Sequence, residues 1–205
     1  MHDELVARPP EDGLAPPRSG QCEAPQEATL SKATPPAAPI DAALLRRLLI
    51  RNFDAAPKSL EQRAPLYESL CARLGEGTAA AKLGISIDTV APGKRSCPYH
   101  FHYAQEEAFV VLEGEGTLRV AGQMLALRAG DVVFIPPGPD YPHQIINTSD
   151  APLKYLSIST RDSPEVVVYP DSDKYLLLAR HDASAHRFGA MHRASDDLDY
   201  WDGEP

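Results

Sequence analysis

Residues 98–114 read PYHFHYAQEEAFVVLEG, and this stretch decides the predicted fold. His100 and His102 are separated by one residue, so in a β-strand both imidazoles project from the same face. Glu106 and Glu107 follow a short segment that is predicted to turn and send the chain back antiparallel. One of the two carboxylates would then lie opposite the histidines. Two imidazoles and a carboxylate that converge on one point predict a metal site.

A second stretch, residues 130–147, reads GDVVFIPPGPDYPHQIIN and supplies a further histidine. His143 begins a short apolar strand, so the candidate metal site has three histidines and one glutamate on three different strands. Cys97 precedes His100 by three residues. Alternation along a strand would place its thiol on the face opposite to the imidazole, so we do not expect thiolate ligation.

The first stretch resembles the first motif of the cupin superfamily. It corresponds to Gly93, six residues, His100-Phe101-His102, four residues, Glu107, six residues and Gly114. The gap after Gly93 is one residue longer than in the family pattern. Glu107 is selected over Glu106 because only Glu107 stands six residues before Gly114.

The second stretch resembles the second cupin motif, and the order of the two motifs is that of the family. It corresponds to Gly130, five residues, Pro136-Pro137-Gly138, four residues, His143, three residues and Asn147. The gap before His143 is two residues longer than in the family pattern. The resemblance covers roughly residues 79–170 and implies an all-β double-stranded β-helix, or jelly-roll barrel.

The resemblance also implies one bound divalent metal ion, since three imidazoles and a carboxylate suit the borderline metals Fe, Mn, Ni, Zn and Cu. Its ligands would be His100, His102, Glu107 and His143. Apolar pocket walls are expected from Phe109, Val111, Val133 and Ile135. Candidates for hydrogen bonds around the ligands are Tyr99, Tyr103, Tyr141 and Glu106. The tyrosines could equally cover the mouth of the barrel, and Glu106 could equally be an outward strand-end charge.

Strand-like alternation runs through the proposed barrel, with turn signals between the segments. The predicted strands are 79–89, 108–112, 116–120, 123–127, 131–135, 143–147, 153–159 and 165–169. If Glu107 points inward, Phe109 and Val111 do too, yet the alternate residues 108, 110 and 112 are also apolar. A strand that is apolar on both faces is usually covered on both. We therefore expect a homodimer, a neighbouring sheet or the N-terminal helices to cover the outer face, and we favour the homodimer.

The regions outside the barrel divide into three segments. A Pro-rich tail covers residues 1–40, with eight of the chain's twenty prolines, and is expected to be flexible. A helical extension covers residues 41–78, with helices predicted at 42–52 and 65–74. A C-terminal extension covers residues 171–205 and is expected to pack on the barrel or a partner through Trp201, with a possible edge strand at 175–178. Surface positions are expected for His181, His186 and His192.

The amino-acid composition argues against some classes of binding partner. The formal net charge of −9 disfavours nucleic acids and anionic membranes, which repel an acidic chain. The sequence lacks an apolar window of the ~18 residues needed to span a bilayer, and its first residues do not form a secretory signal. The three cysteines follow no pairing pattern, which indicates a reducing, cytoplasmic setting.

Three hypotheses for function follow. The first is a metal-dependent enzyme that acts on a small organic molecule, because open metal positions would accept an anionic or oxygen-rich ligand. The resemblance implies dioxygenases, decarboxylases, isomerases and lyases, and we favour a dioxygenase-like chemistry. The second is a protein that binds or senses a small metabolite without turnover, since fold does not fix function. The third, a metal-free structural cupin, is disfavoured by the complete ligand set.

Overall fold

The computed structural model describes residues 41–180 and 187–205. The predicted flexible tail (residues 1–40) and the predicted surface residues His181 and His186 lie outside these ranges. The elements in chain order are α1 (Ala42–Leu49), β1 (Ser59–Arg63), β2 (Tyr67–Arg73), β3 (Leu83–Val90), β4 (Phe101–His102), β5 (Glu107–Glu113), β6 (Glu115–Val120), β7 (Gln123–Arg128), β8 (Val132–Ile135), β9 (His143–Ile146), β10 (Leu153–Thr160), β11 (Glu165–Tyr169), β12 (Lys174–Arg180) and β13 (Arg187–Arg193). Short 3-10 turns follow β11 and β13.

The strands form a six-stranded sheet in the order β1-β2-β3-β10-β5-β8, a four-stranded sheet β13-β12-β11-β4 and a three-stranded sheet β7-β6-β9. The strand pairings within these sheets are antiparallel, as expected where short turns rather than crossover helices join the strands. This arrangement is the predicted double-stranded β-helix. Its main core lies between the six-stranded and three-stranded sheets and contains Val90, Phe109, Val111, Leu118, Leu127, Ile135, Ile145, Leu153 and Tyr155.

Sequence alternation located the barrel strands correctly. Each segment predicted between residues 79 and 169 contains a strand, although β3 begins at Leu83 rather than at residue 79. Along β5 the predicted inward residues Glu107, Phe109 and Val111 are buried, whereas the alternate residues 108, 110 and 112 are half-buried. Alternation in the sequence therefore predicted correctly which face of β5, the strand that carries Glu107, points into the barrel.

The prediction of a helix at residues 65–74 is wrong. This segment forms β2, which pairs with β1 on one side and with β3 on the other. Cys71 and Ala72, adjacent in sequence, are both buried because one faces the barrel interior and the other packs against Ile87 on the outside. Pro65 and Gly75 at the ends of this segment are typical of a helix. The segment instead pairs with strands on both sides, so tertiary context overrode local propensity.

The helix predicted at residues 42–52 is present but ends earlier, at Leu49. Asp41 caps it, since its carboxylate accepts a hydrogen bond of 3.2 Å from the backbone N–H of Leu44. None of the residues of this helix is buried, and Leu49 is 65% exposed. Among the described residues, no helix is long and apolar enough to cross a membrane.

The outer face of β5 is only partly covered. Leu112 packs into a second cluster with Ala72 and Ile87, and Ala56 from the segment after α1 lies against this cluster. Ala108 and Val110, by contrast, pair with Phe134 and Val132 of β8, which are 71% and 49% exposed.

Two predictions for the C-terminal segment are corrected. The edge strand predicted at residues 175–178 is longer and is not an edge, because β13 pairs along β12 from Lys174 to Arg180. Trp201 is 70% exposed and contacts the ring of Tyr200, so it does not pack on the barrel. His192 is exposed, as expected, and its ring lies beside that of Tyr175.

Candidate metal centre

Backbone pairing brings the two motifs together. The N–H of His143 donates to the carbonyl of His100 at 2.7 Å, and the N–H of His100 donates to the carbonyl of His143 at 3.1 Å. His102 lies in β4, which pairs with Val167 of β11. Glu107 opens β5. Four separate positions in the chain thus meet at one end of the barrel interior.

The imidazoles of the three histidines converge on one carboxylate oxygen of Glu107. Oε2 of Glu107 lies 2.9 Å from Nε2 of His143, 3.5 Å from Nε2 of His102 and 3.8 Å from Nε2 of His100. The donor atoms of His100, His102 and Glu107 all lie within 4.8 Å of one another, so these three residues could hold a metal ion. Nitrogen and oxygen donors at such spacing suit a borderline divalent metal.

Two of these donor atoms are buried without a partner. Oε2 of Glu107 and Nε2 of His143 lie 2.9 Å apart, yet neither atom has a hydrogen bond that satisfies it among the described residues. Buried polar atoms are nearly always satisfied, and an unsatisfied one is costly. A cation between the two atoms would satisfy both, so the donor set fits a bound metal.

The other ring nitrogens fix the orientation of two imidazoles. Nδ1 of His100 lies 2.8 Å from the carbonyl oxygen of Pro98, and Nδ1 of His143 lies 3.2 Å from that of Tyr141. A carbonyl only accepts, so each Nδ1 carries the proton and each Nε2 presents a lone pair toward Glu107. This is the tautomer that a metal ligand requires.

Glu165 is a part of the site that sequence reasoning missed. Its carboxylate is buried and lies 3.6 Å from Nδ1 of His102. It also accepts backbone hydrogen bonds of 3.0 Å from Tyr103 and 2.7 Å from Gln105, in the turn between the His-x-His pair and Glu107. Glu165 therefore positions both the imidazole of His102 and the turn that leads to Glu107. The signal available in the sequence was an acidic residue at the start of an otherwise apolar strand.

The pKa shifts of His102 and Glu107 favour the forms of these candidate ligands that bind metal. Burial lowers the pKa of His102 to about 4, so its imidazole is neutral at physiological pH. Burial also pushes the pKa of Glu107 upward, but contacts with His143, His102 and His100 outweigh burial and hold this pKa below its usual range. Glu107 thus presents a carboxylate and His102 a neutral imidazole, the forms that bind metal.

A cavity of about 220 Å³, here called the metal cavity, opens beside the ligands. Its far wall is formed by inward residues of β2, β3 and β10, which lie side by side in the sheet register. The polar members of this wall are Cys71, Arg73, Ser86, Asp88, Tyr155 and Ser157. Asp88 is buried and accepts hydrogen bonds from the hydroxyls of Ser69 at 2.9 Å and Ser86 at 3.2 Å. Burial raises the pKa of its carboxyl group.

The predicted pocket residues divide between the cavity and the core. Phe109 lines the metal cavity. Val111 and Ile135 are buried in the main core, and Val133 packs against that core. Cys97 lines the cavity instead of facing away, because it lies in a bend rather than a strand and strand alternation does not apply there.

The four side chains proposed around the ligands do not line the metal cavity. Tyr99 is buried beneath the guanidinium of Arg119, 3.7 Å from its ring centre. Tyr103, Tyr141 and Glu106 are exposed, and Tyr141 contributes only its backbone carbonyl. Nearness in sequence to the candidate ligands does not bring these four side chains into the cavity, because they lie outside the strands. Glu165, by contrast, reaches the site from a strand that is distant in sequence.

Comparison with known proteins agrees with the fold. The family described as "Cupin domain" matches residues 86–159. An uncharacterised protein of Methanocaldococcus jannaschii is 33% identical over 72 residues, which cover 35% of this chain and 56% of that protein. The chain therefore matches just over half the length of this relative.

Two crystal structures resemble a larger part of the chain. One is a proposed sugar phosphate isomerase of Acidithiobacillus ferrooxidans, with 27% identity, a TM-score of 0.63, and 75% of this chain and 96% of that chain covered. The other is a sugar phosphate isomerase of Silicibacter pomeroyi, with 26% identity, a TM-score of 0.59, and 74% and 96% covered. Together with the strand order and the two motifs, these matches show that residues 86–159 form a domain of the cupin superfamily.

Proposed function

We propose that the protein is a metal-dependent enzyme that acts on a small, oxygen-rich organic molecule. Its metal ligands would be His100, His102, Glu107 and His143. The observation that carries the proposal is the pair of buried, unpartnered donor atoms on Glu107 and His143, which adjoin a polar cavity. A bound divalent metal would act as a Lewis acid that polarises a substrate oxygen.

The size and polarity of the metal cavity support a small substrate with several hydroxyl groups. Its volume of about 220 Å³ is below the ~300–1,000 Å³ of pockets for drug-sized ligands. Hydroxyls of Ser86, Ser157 and Tyr155 line it, and each can donate or accept a hydrogen bond. Phe109 and Ile145 supply apolar surface next to the histidines.

Asp88 supports proton transfer as the type of reaction. Its carboxyl group lines the wall across from the metal ligands, and burial raises its pKa toward the range in which a carboxyl group can both accept and return a proton. In this proposal Asp88 takes a proton from the hydroxyl-bearing carbon next to a substrate carbonyl and returns it to the former carbonyl carbon. The hydroxyl proton of the first carbon passes to the former carbonyl oxygen, which completes an aldose–ketose type of isomerisation. The names of the two structural relatives, both called sugar phosphate isomerases, favour the same class over the dioxygenase-like chemistry expected from sequence.

Hydrogen–deuterium exchange tests this proposal directly. The metal-loaded protein is incubated in D₂O with small aldoses, ketoses and their phosphates, and NMR follows deuterium incorporation next to the carbonyl. We expect incorporation with the wild type and its loss in Asp88→Asn with the metal content unchanged. Oxygen consumption with catechols, keto acids or thiols would instead favour the dioxygenase-like reaction. Ligand binding without exchange or oxygen use would favour the non-catalytic binding protein.

We also propose that the protein is a homodimer. The residues that support it are Val132 and Phe134 of β8, which continue the apolar outer face of β5 and are 49% and 71% exposed. Contiguous exposed apolar surface on a folded domain usually marks an interface.

A further inference from the structure

A second cavity, of about 260 Å³, lies next to the metal cavity. The two cavities share three lining residues, namely Arg73, Ser86 and Ser157. A molecule bound in the metal cavity can therefore extend into the second cavity without leaving the inner face of the six-stranded sheet.

Strand register shows how the two spaces connect. Glu107 of β5 pairs with Ser159 of β10, and Ser159 pairs with Gly84 of β3. Neighbouring strands are about 4.8 Å apart, so Gly84 lies roughly 10 Å from Glu107 across the sheet. Gly84 and Ser159 both line the second cavity. A short chain molecule with one end beside Glu107 would place its other end there.

Two arginines line the second cavity. Arg73 donates a hydrogen bond of 2.7 Å to Glu61, which leaves its remaining guanidinium donors free among the described residues. Arg161 is half-buried, and none of the described carboxylates lies within ion-pair distance of it. A partly buried charge without a counter-charge is unfavourable, so an anion that the described residues do not supply would stabilise Arg161.

The remaining lining suits an oxyanion. Ser157 and Ser159 add two hydroxyl donors. Gly84 lets the side chain of Ser159 lie close against the backbone of β3, because a Cβ atom there would come within 2.7 Å of Oγ of Ser159. Glu76 also lines the cavity, but it is exposed, so water and salt screen its charge more than they screen that of Arg161.

We propose that the second cavity, with Arg73, Arg161, Ser157 and Ser159 as its donors, binds the phosphate group of a small phosphorylated substrate whose other end reaches the metal cavity. Two guanidinium forks and two hydroxyls offer more donors than the two oxygens of a carboxylate can use, and they match the three free oxygens of a phosphate monoester. The nature of the substrate rests on the proposed function, whereas binding of the oxyanion needs no metal.

The test uses inorganic phosphate and the full chain after dialysis against EDTA, so that phosphate cannot bind through a metal. Isothermal titration calorimetry should show one saturable site. We expect Arg161→Gln to weaken binding about tenfold or more, as for the loss of charge-assisted hydrogen bonds, and Arg161→Lys to weaken it less. Arg128→Gln, an exposed arginine on β7, is the matched control for the change in net charge and should bind like the wild type.

Several outcomes would overturn the proposal. They are unchanged phosphate affinity in Arg161→Gln, equal weakening in Arg128→Gln, and acetate binding more tightly than phosphate. His102→Ala separates this proposal from the proposed function, because it should lose metal yet keep its phosphate affinity in the metal-free protein. If no metal is ever bound but Arg161-dependent phosphate binding remains, the metal enzyme is refuted and the phosphate site stands.

Discussion

Nε2 of His143 lies 2.9 Å from Oε2 of Glu107, yet neither atom has a hydrogen bond among the described residues. With the proton of His143 on Nδ1, toward the carbonyl of Tyr141, the two facing atoms are both acceptors. Two buried acceptors at this distance repel each other unless a cation or a proton lies between them. This pair is therefore the most sensitive indicator of whether the site holds a metal.

Metal content should depend on His143. Protein purified without added metal is expected to carry about one metal ion per chain by elemental analysis. His143→Ala removes one ligand and should reduce the metal content several-fold. His192→Ala, an exposed histidine on β13, should retain it. Full occupancy in His143→Ala would contradict the assignment of this residue as a ligand.

Glu165 should control metal affinity without binding metal itself. Glu165→Gln keeps the size of the side chain but weakens its hold on His102 and on the backbone N–H groups of the turn. We expect metal affinity to fall by about 10–100-fold and the free energy of unfolding by about 1–3 kcal/mol. Glu106→Gln, at an exposed neighbouring carboxylate, is the control for both measurements. Competition with a chelating dye and urea unfolding measure the two effects, and a Glu165→Gln variant that behaved like Glu106→Gln would count against this role.

Much of the candidate site could be predicted from the sequence, because the relative positions of its ligands depend on local strand geometry. The single-residue gap between His100 and His102 and the alternation along residues 107–111 fix which side chains share a face, and strand pairing preserves that order. The sequence alone therefore predicts the candidate ligands. The barrel strands were found for the same reason, since half-buried strands alternate with a period of two.

The residues that form the far wall of the metal cavity could not be predicted from the sequence. In β3, polar residues such as Ser86 and Asp88 alternate with Ile85 and Ile87, and alternation alone does not say which set faces inward. Here the polar set faces the cavity and the isoleucines face outward, because a cluster around Ala72 covers them there. Contacts such as those of Glu165 and Arg161 likewise depend on strand pairing over long sequence separations, which single-sequence patterns do not encode.

Asp88 should make stability depend on pH. Because burial raises its pKa in the folded state, the unfolded chain releases this proton first, at about pH 4, and folding disfavours the ionised form. The contribution of Asp88 to stability is therefore fully present below the unfolded-state pKa and is lost as pH rises through the folded-state pKa. Asp88→Asn removes this loss, so the stability of the variant relative to the wild type should be higher at pH 8 than at pH 4. Urea unfolding at both pH values measures the difference, and exposed Asp150→Asn is the control; a difference independent of pH would contradict the prediction.

The two described cysteines should react slowly with thiol reagents. Burial raises the pKa of Cys71 and of Cys97 to about 12. At pH 8 their thiolate fraction is then roughly a thousandfold below that of a free cysteine, and the thiolate is the reactive form. In a Cys22→Ser chain, a thiol reagent followed by absorbance should label almost nothing in the native protein and two thiols in urea. Rapid native labelling of a Cys22→Ser/Cys71→Ser chain would show that Cys97 is an accessible, reactive thiol in the metal cavity.

Phe134 should hold the proposed dimer together. It is 71% exposed on the outer face of β8, next to Ala108 of β5, and an interface there would bury it. Phe134→Glu places an unpaired charge in that interface and should raise the dissociation constant of the dimer by at least about 100-fold, equivalent to ~3 kcal/mol. Met124→Glu, on β7 and 58% exposed, introduces the same charge elsewhere and should leave the dimer intact. Sedimentation equilibrium over a range of concentrations measures both variants, and a wild type that stays monomeric throughout would rule out this interface.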